Sequence, residues 1–173
     1  MQTCVKTRRL TKRYGNETAV NGVDLAVPEA TVYGFLGPNG AGKTTTLKML
    51  LGLVHPTEGQ IWLFNQVMNE KDRLSILRQV GSLIESPSYY GHLTARENLE
   101  IVRSLRQLPK SEIDAALRTV RLDHTGKKPV AKFSLGMKQR LGIAAALMGR
   151  PKLLLPDRDR WSVRPAAAAS AAP

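Results

Sequence analysis

The sequence predicts an α/β fold, on three observations. A β-branched and aromatic run, residues 31–36, stops at the glycine-rich turn that begins at Gly37, and a helical stretch follows from Lys43. Two later segments carry capping patterns ahead of apolar residues at helical spacing. A leucine run near residue 153 then has the composition of a strand buried in an α/β sheet. The expected architecture is a core sheet behind the glycine-rich loop, an antiparallel β flank on its N-terminal side, and a helical insertion at about residues 86–130.

Taken in order, residues 4–10 and 23–27 read as short strands, with Tyr14, Gly15 and Asn16 as a turn between them. Residues 31–36 read as a buried strand and 43–51 as a helix. A turn at Thr57, Glu58 and Gly59 precedes a strand at 61–64. From Asp72 the period becomes helical, and residues 80–84 fit another strand. Thr94 and Glu97 have capping-box spacing before Leu99, Val102, Leu105 and Leu108. Ser111 and Asp114 repeat that spacing before Ile113, Leu117 and Val120, with Pro109 as separator. Residues 136–148 form a third helical candidate, and 152–155 a buried strand. After Pro156 neither period survives. Residues 157–173, ending in an alanine-rich run, read as a disordered tail.

Composition bounds the chemistry. The chain has 173 residues, 42% hydrophobic and 23% charged, which is globular composition and enough for a real core. No apolar run is long enough to span a bilayer, and the first residues lack a secretory apolar segment. Cys4 is the single cysteine, which excludes an intramolecular disulfide and a cysteine-cluster metal site. A reducing, cytoplasmic setting is expected. The net charge of +12 fits nucleic acid, an anionic membrane surface, a polyanionic ligand such as a nucleotide, or simply a basic soluble surface. The basic residues are scattered, without a block interleaved with aromatics, and no nucleic-acid partner is expected.

The motif of highest information is Gly37-Pro38-Asn39-Gly40-Ala41-Gly42-Lys43-Thr44, which matches G-x-x-x-x-G-K-[ST] between a strand and a helix. Glycines let several N–H groups converge on one anion, and the following helix adds the positive end of its dipole. Lys43 would reach the β- and γ-phosphates, the Thr44 hydroxyl would bind Mg²⁺, and Thr45 would add a phosphate contact.

With that loop in view, residues 1–156 resemble the nucleotide-binding subunit of an ABC transporter. Tyr14 stands where the family has the aromatic that stacks on adenine. The segment Phe133-Ser134-Leu135-Gly136-Met137-Lys138-Gln139-Arg140 resembles the ABC signature, with Leu135 and Met137 in place of the usual Gly and Gln. Ser134 and Gly136 are its matching phosphate contacts, which in the family reach the ATP held by an opposite subunit. Glu85 stands where most members carry a glutamine that touches Mg²⁺ and the membrane subunit. That replacement, with the signature spelling, is similar to the bacitracin- and lantibiotic-resistance exporters of bacteria. The resemblance implies ATP and Mg²⁺ as cofactors, a membrane-spanning transporter subunit and a second ATP-binding subunit as partners, and a place on the cytoplasmic face of the cell membrane.

The family pattern stops after Leu155. The sequence continues Pro156-Asp157-Arg158-Asp159, where the family has an Mg²⁺-ordering Asp and then a Glu that polarises water. Asp157 reads as a displaced metal residue. Arg158 cannot accept a proton from water near neutral pH. No histidine follows this point, so the family's later histidine has no counterpart. The expectation is an ATP-binding chain with hydrolysis in doubt, C-terminally truncated or read from a shifted frame beyond codon 155. The alternatives are an ABC-type protein acting on nucleic acid and a non-functional truncated product.

Overall fold

The computed structural model describes residues 2–84 and 89–157. Glu85 and the whole segment 158–173, where the tail and the shifted-frame reading fall, lie outside the described residues. The N-terminal half is a five-stranded antiparallel sheet built on β1 (Thr3–Tyr14). One edge of β1 pairs with β2 (Glu17–Val23) and β3 (Ala26–Pro28). The other pairs with β4 (Glu58–Leu63), which continues into β5 (Gln66–Val67).

β1 is longer than expected because it changes partner midway. Arg9 takes a left-handed φ of 46° and the ladder slips there. The same kink breaks the strand expected at 23–27 into the end of β2 and a separate β3. Asp24 Oδ1 accepts the Arg9 N–H at 2.5 Å, and the Thr7 hydroxyl accepts the Leu25 N–H at 2.9 Å, so side chains replace ladder bonds across the gap. Across β1, Gly59 has φ 90°, and a Cβ there would lie 2.4 Å from the Arg9 carbonyl oxygen. The turn expected at residues 57–59 is thus the start of β4, where only glycine lets the two backbones meet. Phe64 and Asn65, both at positive φ, make the two-residue connection to β5.

Helix α1 (Lys43–Leu50) packs on this sheet. α2 (Arg73–Leu77) leads into β6 (Val80–Leu83), which pairs in parallel with β7 (Leu153–Pro156). One core gathers Leu10, Leu63, Met49, Leu50 and Ile76 with Val80 and Leu155. The helices between β6 and β7 have their own core: α3 (Ala95–Arg106), α4 (Ser111–Thr119) and α5 (Leu135–Leu147) enclose Leu99, Leu117, Leu122, Leu141 and Met148. The helical insertion therefore joins α5 in one body rather than ending at residue 130.

Several sequence expectations are corrected. Residues 31–36 belong to neither sheet; Val32 is fully exposed and Leu36 is 86% exposed. Strand propensity alone does not make a strand without a ladder partner. The 152–155 strand is only part-buried, with Leu154 40% exposed, because β7 pairs on one edge alone among the described residues. Leu105 is 81% exposed. Steps of three lag the helical period, which carries Leu105 about 120° round from Leu99. The Thr94–Glu97 capping box forms as expected, but Ser111 lies inside α4, whose N-cap is Lys110 without a side-chain cap. There the Glu112 N–H bonds the Pro109 carbonyl, so the turn starts earlier.

Candidate functional site

The loop of residues 37–41 is exposed and runs through part-buried Gly42 into α1, whose first residue, Lys43, is buried. Gly42 caps the helix at φ 78°, and a Cβ on it would fall 2.2 Å from the Ala19 carbonyl oxygen. A side chain at position 42 would therefore push the helix N-terminus off β2. This contact ties the loop to the β1–β2 hairpin, whose end carries Tyr14 opposite Glu17. Tyr14 is half exposed, with the Lys12 ammonium 4.9 Å from its ring centroid. It is an aromatic presented at the edge of the same hairpin that buttresses the loop.

Within the loop, Lys43 Nζ donates to the carbonyl oxygens of Gly37 and Pro38, each at 2.8 Å. The ammonium is thereby held under the loop. No acidic residue of α1 itself stands in its first turn, and the backbone N–H groups of the helix start face the side where an anion is favoured. Gly40 and Ala41 lie on the exposed crest with Asn39, and Thr45 follows inside the helix, part-buried.

The decisive contact comes from far along the chain. Thr44 Oγ1 donates to Asp157 Oδ2 at 2.7 Å. Asp157 is 6% exposed, and its N–H bonds the Leu83 carbonyl at 2.9 Å, continuing the parallel ladder of β6 and β7. The ladder thus fixes where the carboxylate emerges. Asp157 is not displaced, as the sequence reading had it: it directly follows β7 and meets the hydroxyl. Proline at 156 and arginine at 158 disguised it. The available signal was the strand Leu153-Leu154-Leu155-Pro156 ending on an acid.

Thr44 and Asp157 are hard oxygen donors and fit Mg²⁺. Among the described residues no group of three or more His, Cys, Asp or Glu could hold a metal without further help. Such a site suits an ion that takes the rest of its shell from phosphate oxygens and water. Beside it, a cavity of about 150 Å³ is lined by Lys43 and Asp157 at one end and by Val27, Phe35, Leu50 and Leu155 elsewhere.

Ser134 and Gly136 do not line this cavity. Ser134 is the N-cap of α5, its hydroxyl accepting the Met137 N–H at 3.3 Å, and a Cβ on Gly136 would meet open space. The Tyr89 hydroxyl donates to the Lys138 carbonyl, one turn into α5. Burial pushes the Tyr89 phenol up to about 12, so it remains a donor at neutral pH. The signature segment is therefore an exposed, capped helix start, separate from the loop of its own chain. Glu85, expected at the metal, lies outside the described residues, two positions beyond the end of β6.

The ABC transporter family model matches residues 20–158. The bacitracin transport ATP-binding protein BcrA of Bacillus licheniformis is 51% identical over 166 residues, covering 95% of this chain and 54% of that protein. The lantibiotic transport ATP-binding protein SrtF of Streptococcus pyogenes is 43% identical over 161 residues, covering 93% and 69%. Among solved structures, cbiO1 of Clostridium perfringens, part of the ABC transporter complex cbiONQ, superposes with a TM-score of 0.78 at 25% identity, over 91% of this chain and 66% of that one. An ATP-binding subunit of another ABC transporter gives 0.79 at 29% identity, over 90% and 66%. The chain spans about half the length of the BcrA relatives it matches. A family match over residues 20–158, most of the chain, makes this a member of the ABC transporter family, an ATP-binding subunit sequence related to the bacitracin and lantibiotic transport proteins.

Proposed function

We propose that the chain binds ATP with its triphosphate over residues 37–45 and Mg²⁺ at Thr44 and Asp157, and that it serves a membrane-spanning subunit that moves a peptide antibiotic of the bacitracin or lantibiotic kind. The observation that carries the reading is the 2.7 Å contact of Thr44 with Asp157. It joins a hydroxyl beside the phosphate loop to a carboxylate, which is what a phosphate-bound Mg²⁺ requires of a protein. When bound, the ion would neutralise charge on the β- and γ-oxygens. Lys43 would exchange the Gly37 and Pro38 carbonyls for phosphate, a charge-assisted bond of greater strength. Tyr14 would stack on the base. Glu85, at the position that the family resemblance gives to a metal-touching residue, would add a further oxygen ligand.

The exposed start of α5 supports a dimer in which Ser134 and Gly136 cover the ATP of a second subunit. Among the described residues no helix is long and apolar enough to cross a membrane. Attachment at the cytoplasmic face through the partner subunit is what the family resemblance implies. Turnover is not supported equally. Position 158, where a water-polarising carboxylate is needed, holds arginine. The reading is binding without appreciable hydrolysis.

Titration of the chain with ATP, with and without Mg²⁺, tests it. Binding should tighten with Mg²⁺ and be lost in Lys43→Ala. Failure to bind, or binding indifferent to Lys43, would overturn the reading. Steady Mg²⁺-dependent hydrolysis abolished by Lys43→Ala would overturn the claim about turnover.

A further inference from the structure

Along the sequence the basic residues are scattered, but the fold collects many of them on the helical body. Residues 118–140 hold seven of the 26 lysines and arginines and one of the 14 acids, Asp123, so half of the net charge of +12 falls in this stretch. Packing turns these cations outward. Val120, Leu122, Val130 and Phe133 are buried in the core of the helical body and anchor the chain between the end of α4 and the start of α5. Between those anchors Arg121, Lys127, Lys128 and Lys132 are exposed. Arg140 ties the two ends of the stretch together, donating to the Val120 and Arg121 carbonyls at 3.3 Å each. The Val130 N–H bonds the Leu93 carbonyl and the Ala131 N–H the Gly91 carbonyl, which fixes the stretch against the chain ahead of α3.

Among the described residues none of these four exposed cations is ion-paired with a carboxylate. The acids of neighbouring elements are engaged elsewhere. Glu97 is held by Thr94, which forms a β-bridge with Pro129, and Asp114 is paired with Arg96 and shares the field of Arg118. Like charges gathered without counter-charges repel one another, and a polyanionic surface relieves that repulsion. Three of the four are lysines. Lysine is a mobile point charge suited to a diffuse layer of phosphates, whereas arginine suits paired contacts to one defined group. Phe133, the only Phe, Tyr or Trp of the stretch, is buried, so no ring is offered for a nucleic-acid base to stack on.

We propose that this basic face of the helical body docks on an anionic phospholipid surface through Arg121, Lys127, Lys128 and Lys132. The choice of a membrane as partner rests on the membrane-serving reading above and deepens it: the chain touches the bilayer itself, besides any hold a membrane-spanning subunit has on it. Such attraction acts within a Debye length, about 10 Å at 0.1 M salt, so the face must approach the headgroups closely and its binding must weaken as salt rises.

Flotation of the full chain with vesicles tests the proposal, using phosphatidylcholine alone and phosphatidylcholine mixed with phosphatidylglycerol. Only vesicle-bound protein rises, so self-association does not mimic binding. The chain should float with the anionic vesicles, stay down with the neutral ones, and be released by high salt. The triple variant Lys127→Gln, Lys128→Gln, Lys132→Gln should bind the anionic vesicles at least about tenfold more weakly with unchanged helical circular dichroism. A second triple variant, Lys6→Gln, Arg8→Gln, Lys71→Gln, removes the same charge from exposed positions on β1 and ahead of α2, and should bind as the parent chain does. Equal loss in both triple variants would assign the binding to net charge and overturn the face. No flotation with anionic vesicles, or equal flotation with neutral ones, would also overturn the proposal, and ATP binding by titration on the same sample would leave the nucleotide reading standing. Binding to a DNA duplex at a salt concentration where the anionic vesicles no longer hold the chain would overturn the lipid in favour of nucleic acid.

Discussion

Thr44 and Asp157 make the sharpest claim at the scale of single residues. Asp157→Asn keeps the shape of the side chain and can still accept the Thr44 hydroxyl, but removes the charge a cation needs. The expected result is a folded chain whose ATP affinity no longer rises with Mg²⁺, read by calorimetric titration. An unchanged Mg²⁺ dependence would remove Asp157 from the metal. Tyr14→Ala should weaken ATP binding by about 1–3 kcal/mol if the ring stacks as other base-bearing aromatics do. Equal affinity would leave Tyr14 as the end of a hairpin. The loop was legible in the sequence because its chemistry is local: glycines, lysine and threonine lie within eight positions. Asp157 was harder to read because its role is set by a ladder bond to Leu83, a residue the sequence does not place beside it. Ser134 was legible only as a residue of the signature pattern; that it caps α5 came from the structure, and the phosphate it would contact belongs to another chain on the proposed reading.

Among elements, α3 has the most explicit design. Thr94 Oγ1 accepts the Glu97 N–H, and the Glu97 carboxylate accepts the Thr94 N–H at 2.7 Å, completing the box. Thr94→Ala should cost about 1 kcal/mol, read by denaturant unfolding. Those bonds, first the backbone N–H and then the hydroxyl of Thr94, hold Glu97 below the ordinary glutamate range. Arg96 does the same for Asp114 and so links α3 to α4. Because the folded state lowers both pKa values, their contribution is complete above the ordinary carboxylate range. It is lost as pH falls through the lowered values. Helical circular dichroism should therefore fall on acidification below about pH 4. Thr94→Ala should shrink that acid-dependent loss; an identical acid limb in the variant would refute the assignment to the box. In the sheet, Gly59→Ala should cost about 1–3 kcal/mol, since it adds a left-handed strain to a clash with the Arg9 carbonyl. Capping and helical periodicity were readable from sequence at this scale. The break between β2 and β3 was not, because it follows from a kink in a different strand.

For the whole molecule, two cores meet where α5 contacts β6, and considerable apolar surface stays uncovered. Val32, Leu36 and Leu135 are largely exposed, and Leu154 partly so. With one edge of β7 unpaired among the described residues, such surface favours association between copies. The isolated chain should associate with rising concentration, seen by sedimentation or light scattering. A soluble monomer with a single cooperative thermal transition would contradict this. The α/β class, the antiparallel flank and the helical body were legible because local patterns specify them. The pairing of residues 31–36 was not, because a strand exists only by virtue of its neighbour.

The sequence separation of 113 positions from Thr44 to Asp157 also imposes an order of events during synthesis. The hairpins around β1 and the phosphate loop leave the ribosome early and close mostly local contacts. The carboxylate emerges only after the entire helical body, which lies between β6 and β7 in sequence. Closing so long a loop costs only about 0.6 kcal/mol more per doubling of length, so entropy does not forbid it, but it slows the search. A nascent chain arrested short of codon 157 would display a complete glycine-rich loop with no acid to meet Thr44. Metal-assisted nucleotide binding would then wait on the arrival of one aspartate.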